Sequence, residues 1–171
     1  METDMRISAI VYTSNTGHTE RYAKLLADKI GLPAYSLKEA RAELSKKAPV
    51  IYMGWLFAGR IKDCAKAKKR YDIRAVVGVG LCDTGCLIDE ARRATKLSEE
   101  LPLFTVQGGM DLESLRGVNK FMISSLTKML ESAPQKSESD ERMLSLLRTG
   151  GDFVSEENLS AVLAWLEGEK E

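Results

Sequence analysis

Short apolar runs alternate along the chain with longer stretches whose apolar residues recur at helical spacing, which predicts parallel β-strands joined by helical crossovers. Ile7–Tyr12 reads as the first strand. After a polar turn, Tyr22, Ala23, Leu26, Ala27 and Ile30 fall on one face of a helix that Gly31 stops. Ala34–Leu37 reads as a short strand and 38–47 as a short helix, ended by Ala48-Pro49, after which Val50–Met53 is a third strand. Gly54–Gly59 reads as a loop, followed by a basic helix to about Tyr71 and a continuously apolar strand at Ala75–Val79. The loop Leu81–Gly85 leads into a helix from Leu87 to about Glu100. A fifth strand, Leu101–Val106, closes at Gln107-Gly-Gly109, and a helix from Val118 to about Glu131 completes the fifth strand–helix unit.

Right-handed crossovers then demand an α/β fold in three layers, a doubly wound five-stranded parallel sheet with helices on both faces. Ser132–Asp140 is a polar connector, too short to separate domains. Two further helices follow. The last starts near Ser155, an N-cap, and sets Leu159, Val162, Leu163 and Leu166 on one stripe with Trp165 beside it. This stripe is expected to pack onto the sheet; the alternative is a dimer contact. The reading is one domain over residues 1–171, with a core at about 6–131 and a helical extension at 139–171.

Composition narrows the class. A chain of 171 residues can bury a substantial core, and no apolar stretch reaches membrane-spanning length, so a soluble protein is expected. Met1–Arg6 lacks the basic, apolar and small-residue succession of an export signal, which makes the cytoplasm the expected location. Twenty-five basic residues balance twenty-five acidic ones, which argues against nucleic acid as a partner. The signs cluster locally, with Lys62, Lys66, Lys68 and Lys69 between Arg60 and Arg70 and several acids near Glu171. The basic cluster reads as a solvated helix face, with a docking site as the alternative. Three cysteines and one histidine make neither a disulfide framework nor a zinc site, and Cys82 and Cys86 are read as free thiols.

In open parallel sheets ligands bind beyond the carboxyl ends of the strands, so the loops after the first, third and fourth strands carry the candidate chemistry. The first, Thr13-Ser-Asn-Thr-Gly-His-Thr19, brings four hydroxyls and one glycine to the start of a helix. The free N–H groups and dipole of a helix N-terminus stabilise a phosphate without lysine or arginine. The lysine-bearing Gly-x-x-x-x-Gly-Lys-Ser/Thr of nucleoside triphosphate sites is absent, and a monophosphate fits better.

This run resembles the Thr/Ser-x-Thr-Gly-x-Thr fingerprint of the flavodoxin family, and the resemblance covers about residues 6–131. It implies a strand order 2-1-3-4-5 and flavin mononucleotide (FMN) as cofactor. Thr13, Ser14, Asn15, Thr16, Gly17, His18 and Thr19 would hold the phosphate. Gly54, Trp55, Leu56 and Phe57 would pack against the isoalloxazine ring, with Trp55 stacking on it. Gly80, Leu81, Cys82, Asp83 and Gly85 would lie along its pyrimidine edge. Electron transfer in one-electron steps is the implied function, with redox proteins or small donors and acceptors as partners. No side chain is assigned acid–base work, and His18 is read as a phosphate contact.

Other classes fit less well. Cys64 to Arg70 and Cys86 to Arg92 match the spacing of phosphatase loops, but both intervals read as helix without glycine. No Gly-x-Ser-x-Gly elbow occurs. The alternatives carried forward are an FMN-dependent oxidoreductase with its own substrate, loosely similar to menaquinone-dependent protoporphyrinogen oxidases, and a cofactor-free interaction module.

Overall fold

The computed structural model describes residues 6–169; Met1–Met5, on which the export reading rests, and the acidic Glu171 lie outside them. The elements are β1 (Ala9–Thr13), α1 (His18–Ile30), β2 (Ala34–Ser36), α2 (Ala40–Glu43), β3 (Pro49–Phe57), β4 (Arg60–Ile61), α3 (Cys64–Arg70), β5 (Asp72–Gly80) and α4 (Ile88–Thr95). There follow β6 (Leu103–Gln107), β7 (Gly109–Met110), α5 (Gly117–Glu131), α6 (Glu138–Thr149), β8 (Gly151–Asp152) and α7 (Ser160–Gly168), the last preceded by a 3₁₀ turn at Glu156–Leu159.

Five parallel strands run β2-β1-β3-β5-β6, the order expected for the five principal strands. Side chains alternate across a strand, so each central strand feeds two cores. Ile10, Ile51, Met53 and Val77 point to the face covered by α1 and α7, whereas Val11, Val50, Tyr52 and Val76 point to the face that Ala40 of α2, Ala67 of α3 and Ala91 of α4 cover. The chain is thus α/β with helices on both faces. Among the described residues no helix is long and apolar enough to cross a membrane.

The structure departs from the sequence pattern at three places. First, the stretch read as a loop at 54–59 stays in β3 through Phe57, because pairing with β5 continues to Gly54 opposite Gly78 and Trp55 opposite Val79. Only Ala58 and Gly59 turn. Both have positive φ, 49° and 78°, as a two-residue primed hairpin turn requires, and they return the chain as β4 against β3.

Second, the expected helix at 38–47 is only Ala40–Glu43, and α4 ends at Thr95 rather than near Glu100. Third, the helix expected to complete the fifth unit does not cover the sheet. Helix α5 buries none of its residues fully and pairs with α6 around Leu115, Leu146 and Leu147. Its apolar residues, Val118 to Leu130, run around more than half of the helix circumference at 100° per residue and so define no narrow core stripe. The vacated place beside β6 is taken by the C-terminal segment, with Leu159 and Val162 wholly buried and Trp165 against Phe104 at 6.2 Å. Ser155 caps this segment, its hydroxyl accepting from the Glu157 N–H, as its position predicts.

Candidate functional site

The apolar run of β1 ends at Thr13, and the next four residues must turn the chain into α1. Gly17 makes that turn at φ 98°, a left-handed conformation that costs glycine little, and its N–H donates to the Ser14 hydroxyl at 3.2 Å. Thr16 Oγ1 and His18 Nδ1 are 2.9 Å apart. The result is a loop of small polar side chains folded over the N-terminus of α1, whose first N–H groups have no helical partner.

A cleft partly open to solvent starts at this loop. Ser14, Asn15, Thr16, His18 and Thr19 form its polar end. Trp55, Leu56 and Phe57 from the end of β3 form one apolar wall, and Val79, Gly80 and Leu81 from the end of β5 extend it. Trp55 and Phe57 meet edge to face at 6.3 Å, and the Lys62 ammonium lies 5.9 Å from the Trp55 ring centre.

The opposite wall comes from residues for which the sequence pattern offered no site reading. Met110 and Leu115 precede α5, and Asn119, Met122 and Ile123 of α5 face the cleft. Gly109 lines it too. A Cβ at Gly109 would meet the Gly151 carbonyl oxygen and lie 2.9 Å from His18 Nε2, so only glycine lets β7 pair with β8 over the start of α1. The one available signal was the glycine pair Gly108-Gly109 itself.

Six expected site residues do not line the cleft. The Thr13 hydroxyl faces the other side of the sheet and accepts from Tyr52 at 2.8 Å. Gly17 and Gly54 act through backbone: a Cβ on Gly54 would press on Ile61 at 2.7 Å. Cys82, Asp83 and Gly85 point away as well. Asp83 pairs with Arg142 of α6 at 2.8 Å, and the Gly85 N–H donates to the Thr105 carbonyl.

Cys82 and Cys86 are not free thiols, since the structure joins them in a disulfide. Their spacing lets a turn bring the two sulfurs together: the Cys86 N–H donates to the Asp83 carbonyl at 3.1 Å, and the Thr105 hydroxyl to the Cys86 carbonyl. Cys64, the remaining cysteine, is 1% exposed, and burial pushes its thiol up to about 11. A thiol-reactive dye is therefore expected to find no reactive cysteine in the native protein, one after unfolding, and all three after unfolding with reductant. Two fast-reacting thiols in the native state would contradict the pairing.

Electrostatically the cleft is neutral. Burial holds the His18 imidazole below its ordinary value of 6.5, with Asp152 opposing that shift and Arg21 adding to it. The unfolded chain then binds a proton at His18 that the folded chain refuses. Stability is expected to fall as pH drops below 6.5, and urea midpoints compared with those of His18→Gln check it: parallel pH profiles for the two proteins would contradict this role. Among the described residues no group of three His, Cys, Asp or Glu side chains could hold a metal ion.

The arrangement can therefore hold an amphipathic ligand, anionic at one end and flat and apolar at the other. No protein-family model matches this chain, and no curated protein or solved structure is significantly similar to it.

Proposed function

We propose that this cleft binds FMN and that the protein transfers electrons through it, as a flavodoxin-like domain. The observation that carries the reading is a single cleft with a lysine-free hydroxyl loop on a helix N-terminus at one end and an indole and a phenyl ring at the other. Backbone N–H groups at the start of α1, with the Ser14, Thr16 and Thr19 hydroxyls, would hold the phosphate. Trp55 and Phe57 on one side and Met122 and Ile123 on the other would enclose the ring, so that α5 supplies the wall that a second aromatic gives in other flavodoxins. Bound there, FMN would supply electron transfer in one-electron steps, which the protein would tune through hydrogen bonds, stacking and burial.

Trp55→Ala is expected to shift the visible spectrum and reduction potential of the bound flavin. An unchanged spectrum and potential would mean that the ring does not rest on Trp55. A second reading, an FMN-dependent oxidoreductase with an apolar substrate of its own, is favoured by the apolar α5 wall and by Val118 and Phe121, each 72% exposed on the same helix.

A further inference from the structure

The basic cluster of the sequence becomes a groove in the fold. Helix α3 brings Lys66, Lys69 and Arg70 alongside Arg41 of α2 and the Lys46-Lys47 turn that precedes β3, and together these cations line one open groove. No carboxylate lines it. Glu43, the one acid of α2, lies outside the lining. Lys66 pairs with Asp63 at 2.9 Å, whereas Arg41, Lys46, Lys47, Lys69 and Arg70 form no ion pair among the described residues.

Hydrogen bonds tie three of these residues, Arg41, Lys47 and Arg70, to one another. The Arg70 guanidinium donates to the Arg41 carbonyl at 3.0 Å and to the Tyr71 hydroxyl at 3.2 Å, and lies 5.7 Å from the Tyr71 ring centre. The Lys47 N–H donates to the Arg70 carbonyl at 2.7 Å, with Lys47 at φ 64°. Like charges so gathered repel one another, on a chain whose formal charge is zero. Past Leu37, Arg41 and Lys66 the surface opens into a second groove toward Thr13 and Ser14, where Glu20, Glu39 and Asp63 end the basic stretch.

We infer that the α2–α3 groove, at the end of the sheet where β3 and β5 begin, is a docking surface for the acidic face of a partner protein. The chemistry favours an acidic protein over nucleic acid. Among the described residues none that lines the groove is aromatic, and the nearby Tyr71 is 2% exposed, so the lining offers bases nothing to stack on. Lysines around an open groove, in contrast, steer an acidic surface and speed encounter in a salt-dependent way.

The test is fluorescence anisotropy of a labelled oligoglutamate against the full chain at low salt. Lys46→Glu/Lys47→Glu/Lys69→Glu is expected to weaken binding about tenfold or more, and the corresponding glutamine triple by less. A control triple elsewhere, Lys96→Glu/Lys120→Glu/Lys128→Glu, is expected to bind nearly as wild type. Binding should fade at high salt, as the screening length shrinks from ~10 Å at 0.1 M to ~3 Å at 1 M. No binding to wild type, or equal losses in both glutamate triples, would overturn the groove; so would a single-stranded oligonucleotide bound more tightly by the same lysines. Flavin titration of the same samples separates the two claims. Flavin uptake without oligoglutamate binding overturns the groove alone, and groove binding on a chain that takes no flavin overturns the function proposed above and leaves the groove standing.

Discussion

Leu159→Ala is expected to destabilise the protein by about 2–5 kcal/mol, the range for emptying a fully buried leucine site. Leu159 is 0% exposed and packs in the same cluster as Ile10, Tyr22, Val77 and Val106, so its removal leaves a cavity between the last turn of the chain and the sheet. A latch next to it ties the same elements: the Tyr22 hydroxyl donates to the Gln107 carbonyl and accepts from Asn158 Nδ2 at 2.7 Å. Leu126→Ala, on half-exposed α5, is expected to cost less, because less apolar area leaves contact. Urea denaturation of both variants checks this. If Leu159→Ala costs under about 1 kcal/mol, the C-terminal segment is no part of the sheet's core and the dimer-contact alternative gains.

Thr16→Ala/Thr19→Ala is expected to weaken FMN binding by roughly 1.5–3 kcal/mol per hydroxyl lost to a charged acceptor, while leaving riboflavin affinity nearly unchanged. The contrast isolates the phosphate, which riboflavin lacks. Thr16 also partners His18 Nδ1, and Thr19 is 1% exposed, so the folded state of the double variant is verified by its denaturation midpoint. Equal losses for both flavins would point to a collapsed cleft; no loss for either would remove the phosphate assignment.

Much of the fold was legible because the strand period and the helix period leave separate marks. Ile7–Tyr12, Val50–Met53 and Ala75–Val79 are largely apolar on both faces, as buried parallel strands must be, and their order was expected only from the family resemblance. The Thr13–Thr19 loop was legible because its hydroxyls and Gly17 mark a turn into a helix. What escaped depends on tertiary partners. The Gly54–Phe57 segment has loop-like glycine, yet β5 supplies partners that keep it extended. Strands β7 and β8 are two residues each and meet across a long sequence separation, which no local pattern encodes. Helix α5 follows the fifth strand in chain order, yet it packs on α6, and Leu159 and Val162 of the C-terminal segment take the place on the sheet. The far wall of the cleft was missed for the same reason, since Met122 and Ile123 reach it only once α5 is displaced.

The proposed FMN cleft takes the phosphate and the ring together. Its most direct test is an absorbance and fluorescence titration of the purified chain with FMN, riboflavin and FAD. Saturable FMN binding with quenched flavin fluorescence is expected, with an affinity for riboflavin lower by at least about tenfold, the loss of one charged hydrogen bond. Failure to bind any flavin, or equal affinity for FMN and riboflavin, would contradict it.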